Sequence, residues 1–397
     1  MARRSLHAPL RGFRFAGIAS GIKATGLDLG AIVADASCPV ATVLTKNVVR
    51  AAPVDLCARR TRSGFARAVL VNSGNANAAT GAQGMEDAQA TSLAFAEALS
   101  ADDDKTKAGD VLPCSTGVIG VPLPTERMCA AMAPLVASLK GGSKSFADAI
   151  LTTDRGRKVS RVAFRAGGKD YEVLAIAKGA GMIHPNMATT LAFALTDAPI
   201  APSDLKAALR AATEATFNRI SVDGDTSTND TIIAMASPAR ALRSTKTFQA
   251  ALTEALGNVA EMIVADGEGA EHVAEIRVEG AKSDADALKV ARTIATSSLV
   301  KTAMHGKDPN WGRIAGAAGR AGVRFDQSKL SVTIGKTCVF DEGRAVMTPA
   351  RERAASKTMS KKRYVITVSL GKGPGSGHYI TCDFGHAYVS VNADYRS

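Results

Sequence analysis

Aromatic residues are scarce in this chain of 397 residues: twelve Phe, five Tyr and a single Trp make up 5% of it. An interior built around large aromatic pockets is therefore disfavoured. Abundant Ala and 36 Gly point instead to close backbone packing and many turns. The six cysteines (38, 57, 114, 129, 338 and 382) form no C-x-x-C pair and have no His at zinc spacing, so they read as reduced thiols and no metal is expected. No apolar run reaches the roughly 18 residues of a membrane span. No acidic residue precedes Asp28, which suits a transit peptide, yet the same stretch lacks the continuous apolar core of a secretion signal. Basic blocks are missing too. The net charge of +12 is scattered, and its densest run, Lys361-Lys362-Arg363, is only three long. Nucleic acid and membrane are poor partners for such a surface, and an enzyme with anionic substrates fits better.

What is present is enough chain for a large α/β body. Strands are expected at 66–72, 171–177, 189–195, 231–237, 273–279, 330–335, 363–370 and 378–391. Helices are expected at 85–100, 125–140 (with Thr125 as N-cap), 203–217, 247–265 and 284–303. This alternation predicts an α/β or layered α+β fold.

Several stretches could carry chemistry. "KGAGMIHPNMATTLAF", residues 178–193, runs a glycine-rich loop through Ala188-Thr189-Thr190 into an apolar strand. One reading is a tight turn feeding that strand. The other is a scissile bond: Thr189 attacks the Ala188 carbonyl in an N-to-O acyl shift, the ester hydrolyses, and the freed α-amine serves as base to the threonine hydroxyl. "CSTGVIG", 114–120, offers a hydroxyl and a backbone N–H to an oxyanion, or else simply ends a strand. Cys114 has no basic neighbour in sequence to activate it. "VDGDTSTNDT", 222–231, lacks the bidentate Glu of a calcium loop and reads as a turn bonded by its own side chains. Glu268 sits in a glycine-flanked turn where a solvated cap is the ordinary role. "GKGPGSG", 371–377, lacks P-loop spacing and is expected to be a hairpin. His184 is a lone loop histidine, more often neither base nor ligand.

In order along the chain, "GFRFAGIASGIK", "NSGNANAATG", "CSTGVIG", "TTD" (152–154), "KGAGMIHPNMATTLAF", "VDGDTSTNDT", "DGEGA", "SSLVKTAMHGKDPNWGRI" and "VNADYRS" resemble the ornithine acetyltransferase (glutamate N-acetyltransferase) family of arginine biosynthesis. The resemblance spans nearly the whole chain. It implies layered sheets and helices like those of N-terminal-nucleophile hydrolases, with the family's own connectivity. It also implies self-cleavage between Ala188 and Thr189, giving an α chain of 1–188 and a β chain of 189–397 assembled as an α2β2 heterotetramer. By the same resemblance Thr189 is the nucleophile and Thr116 and Gly117 the oxyanion hole. Substrate contacts fall on Thr152 (or Thr153), Lys178, Thr189, Glu268, Asn392 and Ser397. The implied reaction moves acetyl from N2-acetylornithine to glutamate by a ping-pong route through acetyl-Thr189, with no cofactor. In an alternative, acetyl-CoA is also an acetyl donor. A hydrolase on a related scaffold, with water as acceptor, is the rival in a different reaction class.

Two positions depart from the family pattern: Ala180 stands where a serine is common, and Ser397 where threonine is. Family-like sequence begins by Pro9 or Gly12, which leaves too little room for a transit peptide, and cytoplasm is the expected location.

Overall fold

The computed structural model describes residues 5–101, 106–184, 190–238, 241–242 and 245–394. Ala188, Thr189 and Ser397 lie outside these described residues. The strands of the first half are β1 (Phe13–Ile18), β2 (Leu29–Leu44), β3 (Phe65–Asn75), β4 (Val111–Val118), β5 (Lys158–Ala166), β6 (Lys169–Lys178) and β7 (Leu191–Pro199). Those that follow are β8 (Ile220–Ser221), β9 (Thr231–Ser237), β10 (Val273–Ala281), β11 (Ser331–Ile334), β12 (Thr337–Asp341), β13 (Arg344–Ala345), β14 (Arg363–Ser369) and β15 (Gly375–Cys382). They form two sheets, β4-β3-β2-β9-β7-β6-β5 with β1 against β2, and β13-β12-β11-β14-β10-β15-β8. Helices cover both, so the layered α/β class stands.

β3 shows why its sequence is almost continuously apolar. Val69 and Val71 point into one core, Ala68 and Leu70 into another on the opposite face, as the two-residue period of a strand requires. Helix Gly81–Ser100 covers the second of these faces. Helices Pro202–Ala215 and Lys246–Ala265 cover β6, β7 and β9 with a third core. β6 and β7 are antiparallel neighbours whose closing pair is Lys178 with Leu191, so the loop that separates them starts and ends at one point of the sheet.

Most expected elements fall where the pattern put them, and four differ. The stretch 125–140 is two short helices, Thr125–Ala130 and Met132–Ala137. Pro134 lacks the N–H that would bond the carbonyl four residues back, which breaks the ladder there. Thr125 is the first helical residue, not the cap, which is Pro124. The stretch 284–303 also divides, into Asp284–Ala295 and Ser298–His305, with Ser297 extended between them. Its Thr-Ser-Ser run favours cap and turn conformations over helix interior. Residues 378–391 are strand only as far as Cys382, and His386–Asp394 is helix. Finally, 371–377 is no hairpin. β14 and β15 do not pair with each other, because β10 lies between them, parallel to one and antiparallel to the other. The loop arches over the end of β10, and its glycines permit the approach: a Cβ on Gly373 would lie 2.0 Å from the Ala281 carbonyl oxygen.

Candidate active site

Parallel pairing of β3 with β4 sets Thr116 and Gly117 beside Ser73 and Gly74. A buried amide network fixes this edge. Ser115 Oγ donates to Asn72 Oδ1 (2.5 Å), Asn72 Nδ2 donates to the Asn75 carbonyl (2.8 Å), and Asn229 Nδ2 reaches the carbonyls of Ala76 and Ser115 (2.5 and 2.9 Å). Gly117 has φ +131°, and a Cβ there would lie 2.3 Å from the Gly74 carbonyl carbon, so only glycine fits.

Across from this edge stands Lys178, the last residue of β6 and 8% exposed. Its Nζ donates to Thr116 Oγ1 (3.1 Å) and Thr152 Oγ1 (2.7 Å). Burial lowers its pKa, while Asp154 opposes that shift. The fully buried Asp154 carboxylate accepts from the Gly179 N–H (2.6 Å), the Thr152 N–H (3.0 Å) and Lys158 Nζ (2.5 Å). Burial works against ionisation of Asp154, but Lys178 and Lys158 outweigh it and hold the carboxyl at about 2. Lys158 in turn pairs with Asp266, and Asp266 with Arg155 at the surface.

Glu268 closes the third side. Its carboxylate accepts from Thr153 Oγ1 (2.6 Å) and Asn392 Nδ2 (2.9 Å), and its backbone N–H donates to the Ala180 carbonyl (2.9 Å). The carboxylate fits because Gly181 has no side chain: a Cβ there would lie 2.4 Å from Glu268 Oε2. The two threonines left open as alternatives are thus both at the site, Thr152 on Lys178 and Thr153 on Glu268. One pocket is lined by Thr116, Gly117, Thr152, Lys178, Glu268 and Asn392, with Thr190 beside them.

Three acidic or amide residues gain roles that their local sequence did not reveal. Asp223 accepts from the backbone N–H groups of Met182 (2.6 Å) and Ile183 (2.8 Å), so the turn at 222–231 clamps the glycine loop as well as itself. Asp230 is fully buried in the pocket wall, and one carboxyl oxygen has no hydrogen-bond partner among the described residues. Burial pushes its pKa well up. Asp154 closes the block "TTD", yet only the fold brings it against Gly179 and Lys158.

His184 is engaged at both ring nitrogens, by Ser221 Oγ (3.2 Å) and by Arg292, which donates to Nε2. Burial and the Arg292 charge push its pKa down to about 4, which leaves a neutral, occupied imidazole unsuited to a base. Cys114 is buried and its thiol pKa raised, first by its contact with Cys57, so it is no thiolate nucleophile. Glu271, His305 and Asp383 lie close enough together to share an ion. The Asp383 carboxylate, however, already accepts from the N–H groups of Glu271 and His272 (both 2.8 Å) and faces His305 Nδ1 at 2.9 Å, a clamp at the end of β15.

A family model described as the ArgJ family matches residues 14–397. The chain belongs to the ArgJ family. The arginine biosynthesis bifunctional protein ArgJ of Parasynechococcus marenigrum is 46% identical over 393 residues, 98% of this chain and 94% of that protein. ArgJ of Geobacter sulfurreducens is 46% identical over 402 residues, covering 98% of this chain and all of the relative. A solved ornithine acetyltransferase from Mycobacterium tuberculosis, complexed with ornithine, is 38% identical, covers 47% of this chain and 98% of its own, and has a TM-score of 0.41. ArgJ membership makes this an enzyme of arginine biosynthesis, as the sequence blocks implied. The family match contains the whole pocket, from the β4 edge to the helix that carries Asn392.

Proposed function

We propose that this ArgJ protein is a glutamate N-acetyltransferase that moves acetyl from N2-acetylornithine to glutamate after cutting itself between Ala188 and Thr189. The observation that carries the reading is the convergence of Thr116, Gly117, Thr152, Lys178, Glu268 and Asn392, from five separate parts of the chain, on one pocket next to Thr190. In the cut, Thr189 Oγ attacks the Ala188 carbonyl carbon, the acyl group shifts from N to O, and water hydrolyses the ester. The products are chains of 1–188 and 189–397. They remain joined by sheet and core, since β6 on one side of the cut pairs with β7 on the other, and β2 pairs with β9. An α2β2 assembly in the cytoplasm is the form proposed; among the described residues no helix is long and apolar enough to cross a membrane.

In transfer, the Thr189 α-amine takes the hydroxyl proton as Oγ attacks the acetamide carbon of N-acetylornithine. Thr116 and the Gly117 N–H donate to the oxyanion. The C–N bond breaks, the proton passes to the leaving amine, and ornithine departs. Glutamate then attacks the acetyl ester through its amine, and N-acetylglutamate leaves. Lys178 and Glu268 supply the charges to meet a substrate carboxylate and ammonium, with Asn392 and Ser397 at the C-terminal side.

The test is a denaturing gel and a transfer assay of wild type beside Thr189→Ala. Wild type should give two bands of similar size and N-acetylglutamate; the variant should give one full-length band and none. A fully active, uncut wild-type chain would sink the mechanism. The relatives are described as bifunctional, which favours a second reading in which acetyl-CoA also donates acetyl. N-acetylglutamate formed from glutamate and acetyl-CoA alone would establish it.

A further inference from the structure

Lys178 is more than a charge in the pocket wall. An ammonium has three N–H donors and no acceptor, while a threonine hydroxyl has one proton and two acceptor lone pairs. With Lys178 Nζ 3.1 Å from Thr116 Oγ1 and 2.7 Å from Thr152 Oγ1, both oxygens are acceptors toward the lysine. Each hydroxyl proton must therefore point elsewhere, and both threonines line the pocket. This polarity holds only while Lys178 is charged. A neutral amine has a lone pair of its own and can accept from one threonine, turning that hydroxyl away from a ligand.

The groups that bear on this charge are Asp154 and Lys158 behind it and Asp230 and Glu268 around it. Of the acids, Asp154 alone also holds the backbone on both sides, through the Thr152 N–H and the Gly179 N–H. Lys158 adds a third hydrogen bond to Asp154 and is itself tied to Asp266, so the carboxylate is held from three directions.

We propose that Asp154 is a positioning residue for acetyl transfer: by holding the Thr152 and Gly179 N–H groups it fixes the backbone on both sides of the Lys178–Thr152 contact, which keeps the lysine aimed at Thr116 and Thr152 and both hydroxyls donating into the pocket. The proposal rests on the reading of Thr116 as an oxyanion donor.

A double-mutant cycle tests both, using the full chain and rates normalised to the cleaved fraction on a gel. Thr116→Val should lower kcat by roughly 10²-fold or more. Asp154→Asn should lower it by about 10- to 100-fold, with KM for N-acetylornithine within about threefold. It should also move the alkaline limb of the kcat–pH profile to lower pH, because Lys178 loses the counter-charge that most favours its ammonium form. In the Thr116→Val background, Asp154→Asn should cost no more than about threefold, since no Thr116 proton is left to aim. Fully additive losses, an effect confined to KM, or wild-type kcat in Asp154→Asn would overturn the positioning role while leaving the oxyanion reading intact. Wild-type kcat in Thr116→Val would instead remove the oxyanion reading, and this proposal with it. If Asp154→Asn does not accumulate as folded, cleaved protein, Asp154→Glu, which keeps the charge but displaces it, enters the same cycle with the same expected coupling.

Discussion

Lys178 in the first sheet and Lys301 beside the second are buried to similar degrees, 8% and 4% exposed, and are used in opposite ways. Lys301 spends its donors on finished structure: Thr381 Oγ1 at 2.9 Å, the Cys382 carbonyl, and the face of Phe384 at 5.8 Å. Thr381 passes its own proton to the Ala295 carbonyl (3.0 Å), so the chain of donors ends in backbone. Lys178 gives its donors to two hydroxyls that line a pocket, and the next acceptor in line is whatever the pocket holds. A buried ammonium whose partners end in carbonyls stiffens a fold. One whose partners are pocket hydroxyls sets the polarity of a site.

Exchanging each lysine for Met is the sharpest way to break this comparison. Lys178→Met should cost acetyl transfer about 10²- to 10³-fold, the scale of a lost oxyanion contribution. Its stability should change little, because Asp154 keeps its ion pair with Lys158 and the two threonine hydroxyls left behind line a pocket where water can meet them. Lys301→Met should do the reverse. Its loss leaves the Cys382 carbonyl and Thr381 short of a donor, for about 2–4 kcal/mol of stability. Transfer per folded molecule should stay near wild type. Thermal melts beside initial rates read both, and a Lys301 variant that melts normally but transfers poorly would erase the distinction.

The next largest effect is expected at Gly117. Replacement by Ala puts a Cβ against the backbone of Gly74 and Asn75, at a φ that L side chains rarely adopt. β3 and β4 must then separate at the Thr116–Gly117 edge. The variant should lose about 2–3 kcal/mol of stability together with transfer. Because both fall, its rate alone says little about the N–H donor, which is why the cycle above uses Thr116. A normal melting temperature for Gly117→Ala would mean that the edge can relax after all.

The two lysines also mark how far the sequence could be read. Helices such as 247–265 were legible because one buried face sets their apolar period, and strands such as 231–237 because both faces are buried and the run is continuously apolar. The family blocks named Thr116, Gly117, Lys178, Glu268 and Asn392, and the fold then brought those positions to one pocket. Asp154 carried no local signal beyond an acid after two threonines. Its place comes from the register of the β5–β6 hairpin, which sets Lys158 opposite Ala177 and so brings the end of β6 to the 152–154 turn, a pairing not visible at the acid itself. The glycines at 371–377 misled for the same reason. Their turn chemistry was visible, but the strand inserted between β14 and β15 was not. Residues 284–303 misled locally, because an apolar stripe continues through a break that Ser297 makes with its backbone.

The smallest expected effect concerns Asp230, which shares the pocket wall with Lys178 yet makes no hydrogen bond to it among the described residues. Burial raises its pKa well above the ordinary carboxylate range. In the unfolded chain the group ionises near pH ~3.9, whereas in the folded chain it keeps its proton to higher pH. Between those two values the folded state binds more protons than the unfolded, so stability falls as pH rises through that window. Asp230→Asn cannot ionise and nearly keeps the shape. Its melting temperature should match wild type near pH 4 and exceed it by an amount that grows toward neutral pH. A constant offset across that range would mean that shape, not the proton, accounts for the difference. A variant less stable than wild type at neutral pH would show instead that Asp230 is ionised in the fold and held by Lys178, which would make it a second anchor for that ammonium alongside Asp154.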